Sequence, residues 1–312
     1  MIRKKLIKIS CLLLAALFMP VYLSAQGQRI ANTDYIKRKW IDIAYATQSQ
    51  AQKLDIYLPD EGDGPYPVIL SIHGGAFKSG DKGDGQVNAM LEGLKRGYAV
   101  VSINYRLSGE AIWPAQIQDV KAAVRWIRAN SKQYKLNPDK IAAWGGSAGG
   151  HLSAMAGTSG IVKELEDLSQ GNPDQSSRVQ AVVDWFGPTD FLKMDENAKE
   201  SKVANPQVHS VPDSPESLLI GKNLEDAPDR VKAANPETYI SRDDPPFFIQ
   251  HGLNDPLVPY PQSVNFSKKL EQTIGKEKVT LELIPGTGHG GPNFQTKENI
   301  DKVFAFLDKH LK

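Results

Sequence analysis

The stretch Trp144-Gly145-Gly146-Ser147-Ala148-Gly149-Gly150 follows a short apolar run at 141–143 and precedes small residues that predict a helix beginning near His151. A serine held in a tight strand-to-helix turn needs almost no side chain two positions before and after it. Gly145 and Gly149 meet that need, with Gly146 and Gly150 alongside. Such a turn aims the hydroxyl out of the sheet, at a helix N-terminus whose amides favour developing negative charge. The chemistry implied is nucleophilic attack by Ser147 on a carbonyl. A glycine-rich connection without chemistry would look similar, but the context of strand, turn and helix favours the nucleophile. A second cluster, His73-Gly74-Gly75-Ala76-Phe77, follows the apolar run 68–72. Glycines let backbone amides approach an oxyanion closely. The amides of Gly75, Ala76 and Ala148 are therefore the candidate oxyanion hole, while His73 itself better suits a structural role.

A serine nucleophile needs a base, and the base needs an orienting acid. Of the six histidines, His289 lies in the flexible loop Gly286-Thr287-Gly288-His289-Gly290-Gly291, just after the last predicted strand. His151, behind the serine, reads as core, and His310, on a terminal helix, as solvated. His251 and His209 remain competing bases. For the acid, Asp255 in His251-Gly252-Leu253-Asn254-Asp255-Pro256 follows the run 247–250; Asp190, in a turn leading out of 179–185, is its rival.

These loops must be held by regular elements. Residues 36–46 and 52–58 read as an antiparallel entry, the second alternating Leu54, Ile56 and Leu58 against polar neighbours. Apolar runs at 68–72, 98–104, 141–144, 179–185, 247–250 and 279–284 then alternate with helical periods at 87–94, 117–129 and 298–311. The second of these places Ile117, Val120, Val124 and Ile127 on one face. The pattern predicts an α/β fold with a mostly parallel eight-stranded sheet covered on both faces. Between 191 and 240 the chain is polar and carries Pro206, Pro212, Pro215, Pro228 and Pro236. It reads as an insertion near the site, with a helix around 215–220 capped by Asp213 or Ser214. Asp119, Arg125 and Arg128 on the 117–129 helix read as bracing ion pairs. The acidic turns 60–64 and 81–85 lack calcium-loop spacing.

The chain has 312 residues, 40% of them hydrophobic, with 37 basic against 36 acidic residues and a single cysteine. Balanced charge argues against an electrostatic nucleic-acid partner. One cysteine excludes an intramolecular disulfide and any multi-cysteine metal site. The N-terminus shifts these facts. Arg3, Lys4, Lys5 and Lys8 precede an apolar run from Cys11 to Phe18, and Ser24-Ala25 closes a segment 1–25 that reads as a signal peptide cleaved after Ala25, although Leu23 stands where a small residue is usual. Cleavage would remove the cysteine and four basic residues. The remainder, 26–312, would be a secreted or periplasmic, thiol-free, mildly acidic catalytic domain with no stable membrane insertion.

The two glycine clusters, Asn104-Tyr105-Arg106-Leu107, residues 114–128 and the Asp255 and His289 loops together resemble the α/β-hydrolase serine esterases. The likeness is closest to hormone-sensitive-lipase-like carboxylesterases and to bacterial acetyl-xylan or feruloyl esterases of the BD-FAE kind. It spans roughly 38–311, and the order Ser147, Asp255, His289 suits it. Ala76 stands where these families often carry a third glycine, and the N-terminal cap of the lipase-like members is too short here for a full lid. The resemblance implies hydrolysis of short-acyl esters, acetyl or feruloyl, on small esters or carbohydrates such as xylan, without metal or organic cofactor. A peptidase or amidase acting on small N-acyl substrates could use the same triad, and a general lipase-like carboxylesterase is a further alternative. Phe77, Trp113, Trp185, Tyr260 and Phe294 are expected on an aromatic rim, and Phe77, Trp113, Tyr260 and Phe294 as substrate-binding residues.

Overall fold

Strand runs of period two and helical runs of period 3.6 settle into one eight-stranded sheet of order β1-β2-β4-β3-β5-β6-β7-β8. The computed structural model describes residues 30–312. The predicted signal peptide, its cleavage point and Cys11 lie outside the described residues. The strands are β1 (Lys39–Ala44), β2 (Lys53–Tyr57), β3 (Tyr66–Ile72), β4 (Ala99–Ile103), β5 (Leu136–Gly146), β6 (Ala181–Trp185), β7 (Phe247–Gly252) and β8 (Val279–Ile284). β1 with β2 and β2 with β4 pair antiparallel, as the entry hairpin predicts, and every later pair is parallel. Parallel strands covered on both faces read as near-continuous apolar runs, and every residue of β4 and β6 is buried, Ser102 and Asp184 included.

Alternation along the strands feeds two cores. Val68, Leu70, Ile72, Ile141 and Ala143 meet α2 (Ala115–Ala129), α3 (Ala148–Thr158) and α7 (Pro261–Ile274). Ile69, Ala142 and Trp144 face the opposite way, onto α1 (Asn88–Leu91) and α8 (Lys297–Leu311). Ile117, Val120, Val124 and Ile127 of α2 are fully buried. α1 is much shorter than the predicted 87–94. Gly93 interrupts the pattern, and a single 3₁₀ turn over Leu94–Arg96 follows and closes at Gly97 with φ 80°. β5 is longer than its apolar run, because Leu136 already pairs with Tyr66 while the intervening residues are polar.

The insertion holds three α-helices rather than one: α4 (Met194–Ser201), α5 (Pro215–Ile220) and α6 (Pro228–Ala234). Proline occupies the first turn of α5 and α6, where its missing N–H costs nothing. Ser214, not Asp213, caps α5, its hydroxyl accepting from the Ser217 amide at 3.1 Å. Leu219, Ile220, Leu224 and Val231 are fully buried in the main core, and α4 packs against α7, so the segment is part of the packed body of the protein. Asp119 pairs with Arg106 at 2.7 Å, Arg125 pairs with Glu166, and Arg128 donates to the carbonyls of Ser176 and Arg178, all bracing contacts. The Asp81 carboxylate is taken up by the Gly83 amide and the Asn104 side chain. Among the described residues no helix is long and apolar enough to cross a membrane. The loops that leave the C-terminal ends of β3, β5, β6, β7 and β8 carry His73–Phe77, Ser147, Phe186–Asp190, Asp255 and His289 respectively, which brings them to one edge of the sheet.

Candidate active site

Ser147 sits between β5 and α3 at φ 57°, ψ −123°, a conformation that L-residues avoid. Its surroundings enforce it. A Cβ on Gly145 would overlap the backbone of Gly149 and the Ile72 carbonyl, and one on Gly149 would overlap the carbonyls of Ile72 and His73. The Ser147 amide donates to Trp185 O at 2.9 Å, tying the turn to β6. α3 begins at Ala148 rather than near His151, which puts Ser147 at its cap. A capping serine ordinarily gives its hydroxyl to an amide of the first turn. Here the hydroxyl makes no such bond and is turned to His289 instead.

His289 Nε2 lies 2.8 Å from Ser147 Oγ, and its Nδ1 lies 2.7 Å from Asp255 Oδ2. The Asp255 carboxylate is completely covered. Its Oδ1 accepts from the amides of Leu257 and Val258 at 2.8 and 2.9 Å, and His251 Nε2 stands 3.2 Å from Oδ2. Burial alone would raise the proton affinity of Asp255. The charge of His289 and the hydrogen bonds from His251 and His289 outweigh burial and hold the carboxyl well below the usual carboxylate range. The loops of acid and base touch directly: the Asn254 amide donates to Thr287 O at 2.8 Å, and a Cβ on Gly252 would overlap the carbonyls of Thr287 and Gly288.

Gly75, Ala76 and Phe77 follow one another at φ 113°, 55° and 61°. The run begins beside the elbow, where a Cβ on Gly74 would overlap Gly146 O and come within 3.4 Å of Ser147 Cβ. The alanine within it costs about 1 kcal/mol that glycine would not. The Gly74 amide donates to Gln86 Oε1 at 2.8 Å, and the amides of Lys78 and Ser79 donate to Gly75 O. Among the described residues, the amides of Gly75, Ala76 and Ala148 have no hydrogen-bond acceptor. The arrangement can accept a proton from a serine, hold the resulting imidazolium against a buried carboxylate, and offer unengaged amides to an oxyanion.

The BD-FAE family model matches residues 54–270, about two thirds of the chain. The chain belongs to the BD-FAE family. Its similarity to a carbohydrate esterase from gut microbiota, solved in truncated form, covers 90% of this chain and 99% of that one at 36% identity and a TM-score of 0.80. A bifunctional GH43-CE protein of Bacteroides eggerthii aligns over 88% of this chain and 35% of its own at 39% identity and a TM-score of 0.77. The probable carboxylic ester hydrolase LipM of Mycobacterium tuberculosis is 36% identical over 80% of this chain. The chain spans about half the length of the curated relatives it matches, 55% in the case of LipM.

The side chains of the other candidates are engaged elsewhere. His151 is buried, bonds Pro188 O at 2.8 Å through Nδ1 and stacks on Phe191; burial pushes its pKa down to about 4. His73 stacks on Tyr105, and His310 packs its ring against Phe306. Asp190 receives the Leu192 amide and the Asn235 side chain, serving the start of the insertion. His251, a competing base by sequence, is instead the second histidine on Asp255. The aromatic rim is corrected. Phe77 (1% exposed), Trp113 (8%) and Phe294 (1%), with Trp185, are buried. Phe77 turns inward against His151 and Phe191, Trp113 packs edge-on to His151, and Phe294 backs Phe186. Tyr260 alone among the four substrate-binding candidates is half-exposed. Phe186 escaped sequence reasoning. At φ 44° it sets its ring edge-on to His289 at 4.8 Å, and nothing in Trp185-Phe186-Gly187 announces that backbone.

Proposed function

We propose that this BD-FAE protein is an exported serine esterase that releases short acyl groups, acetyl foremost, from carbohydrate esters through an acyl-enzyme. The observation that carries the reading is the relay from Ser147 Oγ through His289 to Asp255, at 2.8 and 2.7 Å, beside three unengaged amides. His289 Nε2 takes the serine proton as Oγ attacks the ester carbonyl, and the oxyanion rests on the amides of Gly75, Ala76 and Ala148. The imidazolium then protonates the leaving alcohol. Water, deprotonated by the same Nε2, opens the acyl-enzyme and releases the acid. Asp255 keeps the Nδ1 proton in place and stabilises the imidazolium without itself being protonated. One oxyanion donor is worth roughly 3–4 kcal/mol where such donors have been removed.

The likeness to a carbohydrate esterase over nearly that protein's whole solved chain supports a sugar ester as substrate. The basic and apolar N-terminal segment supports export toward polymeric substrates. With Phe77, Trp113 and Phe294 buried, Tyr260 is the one remaining candidate to stack on an aromatic acyl group, which favours acetyl over feruloyl. A general carboxylesterase is the second reading, favoured by the likeness to LipM. Acetate and ferulate release from acylated xylan, measured beside p-nitrophenyl esters of increasing chain length, separates them. Acetate release lost in Ser147→Ala is the expected result. A maximum on longer aryl esters with no acetate from xylan selects the second reading, and Ser147→Ala activity within tenfold of the parent refutes the mechanism.

A further inference from the structure

Three consecutive carbonyls after Asp255 are gripped from outside their own loop. The Gln207 amide donates to Pro256 O at 2.7 Å, His209 Nε2 lies 2.9 Å from Leu257 O, and His251 Nε2 lies 2.8 Å from Val258 O. Two of these grips come from the insertion. The Leu257 and Val258 amides are the ones that donate to Asp255 Oδ1, so the peptides orienting the carboxylate on one side are held by the insertion on the other. The second nitrogen of His209, Nδ1, lies 2.8 Å from Glu216 Oε2 in α5, and both side chains are almost completely buried. Asp195 of α4 accepts the His209 and Ser210 amides at 2.8 and 2.9 Å.

A neutral imidazole carries one N–H and one lone pair. Here both ring nitrogens face oxygens that can only accept, a carboxylate and a peptide carbonyl, so both bonds require the imidazolium. We propose that His209 is a positioning residue whose proton latches the insertion onto the Asp255 loop, and that losing this proton sets an alkaline limb of activity. The proposal rests on the reading of Asp255 as the orienting acid. The charged groups facing His209 are Glu216 from α5, Asp195 from α4 and, one peptide beyond Leu257, Asp255. Burial would lower the proton affinity of the ring, but the hydrogen bond and charge of Glu216, with Asp195, raise it above the ordinary histidine value. A raised value in the folded protein means that the latch is complete below pH about 6.5 and is lost as pH rises through the folded value.

Glu216→Gln is the discriminating variant. A glutamine amide can donate to Nδ1 of a neutral His209 while Nε2–H still donates to Leu257 O, so the latch closes without a proton. This variant is expected to keep kcat within about twofold below pH about 6.5 and to lose the decline of kcat and Tm that the parent shows as pH rises above it. His209→Phe is expected to lower kcat about tenfold at every pH with KM little changed, because the loop holds the acid rather than the substrate. Histidine Cε1–H NMR of the parent protein, with the His209 signal identified by its loss in His209→Gln, should show that ring titrating above pH about 6.5. A His209 ring neutral throughout pH 6–9, or an alkaline decline unchanged in Glu216→Gln, overturns the proposal. The NMR and Tm readings need no turnover. They therefore stand apart from a failure of the esterase mechanism, which Ser147→Ala reports.

Discussion

Replacing Asp255 by Asn would exchange one oxygen for an amide nitrogen, and the structure determines which one. Oδ1 accepts the Leu257 and Val258 amides at 2.8 and 2.9 Å, so that position must remain oxygen; reversing the amide would set an NH2 group against two N–H donors. Each lost bond to a buried donor costs about 1–3 kcal/mol. The new nitrogen therefore occupies the place of Oδ2, 2.7 Å from His289 Nδ1. It donates to Nδ1, which must then carry a lone pair, and the ring proton moves to Nε2. At 2.8 Å from Ser147 Oγ, Nε2 now presents a hydrogen where it must accept one. The wrong tautomer of a correctly placed base costs roughly 10⁴-fold in kcat in a comparable serine triad, equivalent to about 5 kcal/mol of barrier. Steady-state hydrolysis of p-nitrophenyl acetate measures it, with KM expected to stay near that of the parent and Tm to show that the fold is kept. A folded Asp255→Asn enzyme within tenfold of the parent kcat would refute both the tautomer argument and the assignment of Asp255.

Gly252→Ala should cost most of the activity: its Cβ would overlap the carbonyls of Thr287 and Gly288, driving the His289 loop from the acid loop, so kcat on the same ester should fall by about 10² or more. An active Gly252→Ala enzyme would show that the two loops part without consequence. Asp184, buried beside the elbow, receives the Gly187 amide on Oδ1, Oδ2 has no partner among the described residues, and burial pushes its pKa up to about 6. Between pH about 3.9 and 6 the native state then binds more protons than the unfolded chain, so this group makes stability fall as pH rises. Asp184→Asn should flatten the dependence of Tm on pH across that window and raise Tm relative to the parent above pH 7; parallel Tm profiles would show that Asp184 ionises without penalty.

The elbow was legible because its constraints are local. A serine forced to φ 57° between strand and helix needs glycine on both sides, and that requirement is spelled within five residues. Loops that follow apolar runs offered Asp255 and His289 without knowledge of any contact between them, but left Asp190, His251 and His209 as rivals, because a choice among them needs the contacts themselves. The rim was misread for the opposite reason. Phe77 lies in a loop at the correct edge, but the left-handed turn begun by Gly75 points its ring inward against His151 and Phe191, and loop position carries no information about direction. His209 shows the same limit more sharply. By composition the segment 191–240 is polar and proline-marked, the pattern of an exposed flap. Polarity predicts exposure only while each polar group must look to water for its partners. Where Glu216 and the Leu257 carbonyl supply both partners of one imidazole, a charged residue is buried without an orphaned bond, and the insertion becomes part of the frame that orients Asp255.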